Sequence, residues 1–373
     1  MRVDFYRYES TKETYSLVSD VLDQEAENQV ELLEEEFASY IGSEYALATS
    51  SGTGALHLAM LSLDLKRGDK VVCSVNAHPS VPEVVRHFDA EPIFIDVDID
   101  SFNIDLDKLE EYLEQNIAKK LKGVIITHIA GQCVDLSRVY SMAKKYDIKV
   151  VEDASEALGA TYNGEKIGSL EADIVCFNFS NHLKKNACNG GMLVTNSKEL
   201  IDRARLLNSH GLKQDKNSLN YIYDVVDIGF EYTMGELDAA YFRAYISELD
   251  KNISRVKAIA KRYNEALDGV DHITIPFASS NEHPYSLYII KVDKNRDSFA
   301  KELDEEGVEV GVHYIPLHFL SYYKNKYNLK INNFPNALKI FQKIMSLPIY
   351  PYMSDEEVEF VIKKVKLVAS TRV

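Results

Sequence analysis

Between residues 148 and 196, acidic and basic side chains gather at the ends of successive apolar runs. The first run starts at Ile148 and ends Val151-Glu152-Asp153-Ala154-Ser155-Glu156-Ala157-Leu158-Gly159. The second, Ile174-Val175-Cys176-Phe177-Asn178-Phe179, leads into Ser180-Asn181-His182-Leu183-Lys184-Lys185, and a third opens on Gly190-Gly191. An acid and an amine delivered at neighbouring strand ends are what pyridoxal 5'-phosphate (PLP) chemistry asks of a protein. The acid keeps the pyridine nitrogen protonated so that the ring accepts electrons, and a lysine usually holds the aldehyde and then moves protons. The phosphate needs backbone N–H groups at a helix N-terminus. Ser50-Ser51-Gly52-Thr53 leads into a helical pattern at Leu56, Ala59, Met60 and Leu63, so Gly52 and Thr53 are candidates for that cup. Taken singly, each signal has a plainer alternative: Asp153 as a structural carboxylate or helix cap, Gly52 as a turn residue.

The elements that would position these residues alternate along the chain. The sequence predicts a helix over 18–42, ending at Gly42, and another opening at Gly52. Strands are expected at 71–75, 92–97, 124–129, 148–151 and 174–179. Helices follow from near Pro79, over 106–113 and over 136–146. Apolar strands mostly followed by helices indicate a mainly parallel sheet covered on both faces. Ligands in such sheets sit beyond the carboxyl ends of the strands. One long helix over 234–263, straight or kinked, is expected to carry the chain into a smaller α/β unit, with strands at 288–292 and 310–314 and helices at 296–306 and 355–365. The division expected is a large α/β domain over 1–245 and a small one over 246–373.

Composition narrows the function classes. A chain of 373 residues is long enough for about two domains with a sizeable core. Its net charge of −16, without a block of basic residues, argues against nucleic acid as a partner. No apolar run approaches the roughly 20 residues that span a bilayer, and the N-terminus lacks the apolar core of a signal peptide. Cys73, Cys133, Cys176 and Cys188 form no CxxC pair, so buried thiols are expected rather than disulfides or metal ligands. A cytoplasmic protein without a metal is expected.

Over nearly its whole length the chain resembles the DegT/DnrJ/EryC1/StrS family of sugar aminotransferases. The motifs that carry the resemblance are Ser51-Gly52-Thr53-Gly54-Ala55-Leu56, Pro92-Ile93-Phe94-Ile95-Asp96-Val97-Asp98 with Phe102-Asn103-Ile104-Asp105, and Glu152 to Gly159. Val312-His313-Tyr314-Ile315-Pro316-Leu317-His318 and Leu347-Pro348-Ile349-Tyr350-Pro351 add the C-terminal signatures. The resemblance implies a fold-type I PLP transferase architecture and a homodimer with active sites at the subunit interface. It implies Asp153 as partner of the ring nitrogen and Glu156 as a contact near the ring hydroxyl. His78 falls where the family stacks an aromatic ring on the cofactor, and Asn178 where a serine reaches the phosphate. His313 and His318 are candidates for contact with a sugar or diphosphate.

Several positions depart from the family pattern. Aligned without gaps, the family's Schiff-base lysine falls on Leu183, with Lys184 one residue beyond it and His182 one residue before it. The family's Gly-Tyr-Asn-Tyr-Arg-Met loop reads Gly229-Phe230-Glu231-Tyr232-Thr233-Met234. Three functions follow. The leading one is a PLP-dependent aminotransferase that moves an amino group from an amino acid, glutamate by preference, to a keto group on a nucleotide-linked sugar, with Lys184 as the cofactor lysine. The second is a lysine-free PLP sugar dehydratase with His182 as base. The third is a non-catalytic paralogue that binds a nucleotide sugar or a partner enzyme.

Overall fold

The computed structural model describes residues 1–25, 28–116, 120–179, 188–214, 219, 221–276 and 282–372. Its centre is a seven-stranded sheet made of β1 (Tyr45–Thr49), β2 (Lys70–Ser74), β3 (Glu91–Ile95), β4 (Leu121–Thr127), β5 (Lys149–Asp153), β6 (Ile174–Asn178) and β7 (Gly191–Thr195). The spatial order is β1-β7-β6-β5-β4-β2-β3. Only β7 runs against its neighbours, pairing antiparallel with β1 and β6, while the remaining pairs are parallel. This is the mainly parallel α/β sheet expected of a fold-type I architecture.

Period-two alternation sorts the strand residues onto two layers. Cys73, Ile125, Val151, Ile174, Cys176 and Leu193 pack with the helices Gly52–Ser62, Ser80–Arg86 and Lys198–Leu207. On the opposite face, Val124, Ile126 and Val150 meet Leu109, Leu113 and Met142. There, Val175, Phe177 and Val194 meet Leu33, Phe37 and Phe242. The same alternation decides where the strand ends point. Thr127, Asp153 and Asn178 lie two residues beyond Ile125, Val151 and Cys176, so they project on the side of the Gly52–Ser62 helix.

The C-terminal part builds a small antiparallel sheet from β8 (Ile273–Thr274), β9 (Tyr288–Val292) and β10 (Ile344–Leu347). Tyr288, Ile290 and Val292 form a core with Leu249–Leu267, Arg296–Glu305 and Asp355–Ser370, which Val3 from the N-terminus joins. Leu287 and Ile289, on the other face, join the core that covers the large sheet. One face of β9 therefore holds the small unit together and the other docks it.

Three expected elements differ. The helix expected over 18–42 is two helices, Lys12–Leu22 and Gln29–Ile41, the second entered through Asn28 at φ 60°, which breaks the helical path. The helix expected over 234–263 is Glu236–Ser247 followed by Leu249–Leu267, meeting at Glu248, whose φ of −97° and ψ of 0° cap the first helix and start the second. The strand expected at 310–314 is a loop with a single bridge, Gly311 to Ser346. Beyond that bridge its hydrogen bonds go elsewhere, such as Tyr314 N–H to the Asn76 side chain at 3.4 Å.

The close approach of β7 to the Gly52 turn requires a glycine. A Cβ at Gly191 would lie 2.6 Å from Gly52 N and from Ser51 C and O. These are backbone atoms and cannot rotate away. Gly191→Ala is expected to destabilise the fold by about 1–3 kcal/mol in denaturant unfolding. An unchanged midpoint would show that the turn moves freely.

Candidate functional site

Gly52, Thr53, His78, Asp153, Glu156 and Asn178 line one cavity at the carboxyl edge of the sheet, together with Leu56, Ser80, Thr127, Ser155 and Tyr314. On one side is the start of the Gly52–Ser62 helix. Ser51 caps it by accepting the Gly54 N–H at 3.1 Å. Gly52 is needed there because a Cβ would fall 2.4 Å from the Asn178 Cβ. The result is a helix end with its N–H groups and partial positive charge facing the cavity.

Opposite the helix stands Asp153, the last residue of β5 and only 4% exposed. Its Oδ1 accepts from Ser155 N–H at 3.2 Å and from Ser155 Oγ at 2.5 Å. Burial pushes its carboxyl up despite the pull of those bonds and of His78 and His128. A positive group against Asp153 would supply the compensation that burial withholds. Next to it in the sheet register, Thr127 is buried, and its Oγ1 has no hydrogen-bond partner among the described residues.

Glu156 is the second buried acid. Its Oε2 accepts from Ala130 N–H and its Oε1 from Tyr314 O–H. Burial raises it to about 7, with the nearby Asp153 adding to the rise and the two donors opposing it. Ala130 reaches this position in a left-handed conformation, at φ 61°. The turn that carries Ala130 is set by His128 and Asn103. Val134 N–H donates to His128 Nδ1 at 3.2 Å, so the proton sits on Nε2, which donates to Glu152 at 3.1 Å. Tyr140 donates to the other Glu152 oxygen at 2.5 Å, and Asn103 accepts from Ile129 N–H at 2.8 Å. Glu152 thus faces away from the cavity, as alternation with Asp153 requires.

His78 lies exposed at the cavity mouth, its Nδ1 accepting Ser80 N–H at 3.2 Å and its ring 5.9 Å from that of Tyr314. The structure does not bring His313 and His318 to the cavity. His313 bonds to Ser346 Oγ at 2.9 Å and stacks on Phe5 at 5.5 Å. His318 is fully buried against Phe319 and Phe334. Burial lowers both, His313 to about 4. Neither ring lines the cavity, so a contact of His313 or His318 with a sugar or diphosphate would lie outside this lining. His182 and Lys184, with Leu183 and Lys185, lie outside the described residues.

Four cavity residues were not singled out from the sequence, one of them Ser80 at the start of the Ser80–Arg86 helix. Thr127 follows from alternation after Ile125, and Ser155 from the turn that an Asp favours two residues on. Tyr314 stands next to His313, their rings 5.2 Å apart, yet only Tyr314 lines the cavity, which nothing in their shared motif reveals.

The residues present fit PLP: a buried acid for the ring nitrogen, a helix end for the phosphate, and, on the strand beside that of Asp153, a buried hydroxyl unpartnered among the described residues. Among the described residues, no lysine or arginine lines the cavity. The model of the DegT/DnrJ/EryC1/StrS aminotransferase family matches residues 9–366. The chain is 33% identical to the spore coat polysaccharide biosynthesis protein SpsC of Bacillus subtilis, over 91% of this chain and 89% of SpsC. It is 32% identical to the dTDP-3-amino-3,6-dideoxy-alpha-D-galactopyranose transaminase of Aneurinibacillus thermoaerophilus, over 90% of this chain and 89% of that protein. The PLP form of Spr1654 of Streptococcus pneumoniae, named after a sugar aminotransferase activity, superimposes with a TM-score of 0.89 at 26% identity, covering 100% of this chain and 99% of that one.

The raised Glu156 makes a stability prediction. Its folded value near 7 lies above the ordinary 4.5. Its contribution is therefore fully present below about 4.5 and is lost as pH rises through 7. Glu156→Gln removes that loss, since an amide can accept from Ala130 and donate to a rotated Tyr314 hydroxyl. The ligand-free variant should gain stability on the order of 3 kcal/mol at pH 8, with a flatter profile of melting temperature between pH 4.5 and 7. A variant less stable at pH 8 would contradict a raised Glu156.

Proposed function

The chain belongs to the DegT/DnrJ/EryC1/StrS aminotransferase family, and on that premise we propose that it is a PLP-dependent sugar aminotransferase. It moves an amino group from an amino acid, glutamate by preference, to a keto group on a nucleotide-linked sugar used for a surface glycan. The observation that carries this reading is the placement of buried Asp153 across one cavity from the Gly52 helix end. The names of the two relatives, one a dTDP-amino-sugar transaminase and the other a polysaccharide biosynthesis protein, support the substrate class.

PLP, when bound, supplies an electron sink and a carrier for nitrogen. Asp153 holds a proton at the ring nitrogen. The N–H groups at Gly52 and Thr53, with Asn178, hold the phosphate, while His78 flanks the ring and Glu156 stands near the ring hydroxyl. Lys184 would be the residue to hold the cofactor's aldehyde and to move protons. Leu183 at the family's lysine position favours a second reading, a lysine-free sugar dehydratase with His182 as base or a nucleotide-sugar-binding paralogue. Four free cysteines, three of them buried, suit a reducing cytoplasmic setting.

The same reading includes a homodimer. Between residues 219 and 230 the chain exposes Tyr221, Tyr223, Val225, Ile228 and Phe230, with Ile228 80% exposed. A run of this kind suits burial against a second copy. The dimer would bring Glu231, exposed in the single chain and 3.4 Å from His210, toward the partner's cavity. Sedimentation should give a dimer that Ile228→Asp weakens at least tenfold. A monomeric wild type would remove this part of the reading.

Two measurements test the chemistry. Asp153→Asn should fold as wild type and lose at least a hundredfold in aminotransfer; full activity would end the PLP reading. Borohydride reduction followed by peptide mapping should place pyridoxyl on Lys184. Label on Lys185 would keep the reaction and move the role by one residue. If no lysine is labelled and Lys184→Ala is fully active, the second reading stands.

A further inference from the structure

We propose that Tyr314 is a positioning residue that orients Glu156 in the cavity and favours its charged form, and so ties the cavity to the C-terminal unit. Tyr314 does not belong to the sheet that presents Asp153. It lies on the loop after Gly311, whose backbone bridges to Ser346 in β10. Its hydroxyl nevertheless reaches across and donates to Glu156 Oε1. The same C-terminal unit grips Glu156 a second time, through Ser286 Oγ donating to the Glu156 backbone oxygen at 2.5 Å. Pro284 closes the third side, since a Cβ on Gly131 would meet both Pro284 Cγ and the Glu156 oxygen within 2.7 Å.

With Ala130 on Oε2 and Tyr314 on Oε1, each carboxylate oxygen has a donor, the arrangement that favours the charged form of a buried acid. The Ala130 N–H is fixed in a turn of the large sheet. Tyr314 is therefore the donor whose position depends on how the small unit sits. The titratable groups around Glu156 are Asp153 on the same strand end, Tyr314 itself, His78 beyond Tyr314 at 5.9 Å ring to ring, and His128, which acts on Asp153. No lysine or arginine among the described residues lines the cavity to take over the role of Tyr314.

The effect on Glu156 is a property of the chain alone; its consequence for ligand binding rests on the reading of the cavity as a PLP site. The test uses full-length protein labelled with carboxyl-carbon-13 glutamate, with the Glu156 signal identified by its loss in Glu156→Gln. Tyr314→Phe removes one oxygen and keeps the ring, and Tyr314→Leu is a second variant should the first not fold. In ligand-free protein the Glu156 midpoint should rise by about one pH unit in either variant. PLP affinity, titrated from pH 5.5 to 8.5, should change around the wild-type midpoint and follow it upward in Tyr314→Phe. In Glu156→Gln that step should vanish. An unmoved Glu156 midpoint in a folded Tyr314 variant overturns the proposal, whatever PLP does. A midpoint that moves in a protein that binds no PLP sustains it and removes the cofactor reading instead.

Discussion

Two carboxylates, Asp153 and Glu156, are buried three residues apart at the carboxyl edge of the sheet, and much of the site is arranged around that cost. An unpaired buried acid is destabilised strongly enough to hold its proton near neutral pH. Among the described residues the structure answers with oriented donors, with no lysine or arginine in the lining. Ser155 serves Asp153, and Ala130 and Tyr314 serve Glu156. Each donor needs its own support. Ala130 depends on a left-handed turn fixed by His128 and Asn103. Tyr314 depends on the docking of a separate small sheet. Glu152, between the sheet and its outer helices, has its own pair of donors in His128 and Tyr140.

Much of this was legible in the sequence because buried parallel strands read as unbroken apolar runs. β2, β3, β4, β5 and β6 all fall within a few residues of their expected places, and with them the strand ends that carry Thr127, Asp153 and Asn178. β1 was missed for a physical reason: Tyr-Ala-Leu-Ala-Thr is rich in small residues with little strand preference, and its place is set by pairing with β7. The sequence allowed a kink in the helix expected over 234–263, but its place at Glu248 was not legible because residues on both sides keep helical periodicity. The candidate site divided along the same line. Residues at the ends of local elements were found, whereas Tyr314 depends on a contact with Glu156 across 158 residues of chain. His313 and His318 share its motif but meet Phe5 and Ser346, and Phe319 and Phe334, instead of the cavity, so motif membership alone does not say which way a side chain faces.

The balance of charge in the cavity constrains whatever binds there. Among the described residues its ionisable lining is His78, Tyr314 and two acids, with no lysine or arginine. A phosphate cannot sit near Asp153 and Glu156 on the strength of side-chain cations from this lining. The helix end at Gly52 offers partial charge and N–H groups, worth roughly 0.3–2 kcal/mol to an anion. The remaining compensation has to come from Lys184 and Lys185 or from a second copy of the chain. Glu231 works in the opposite sense. About 4 Å from a phosphate charge it would cost roughly 1–4 kcal/mol per charge pair. In the single chain His210 stands beside it at 3.4 Å, with both side chains more than half exposed, where water screens such a pair. The departure at Glu231 is therefore compatible with a phosphate site where Glu231 turns away or meets a cation such as Lys184 or Lys185, and the backbone bridge between Ser209 and Glu231 is the contact such a turn would start from.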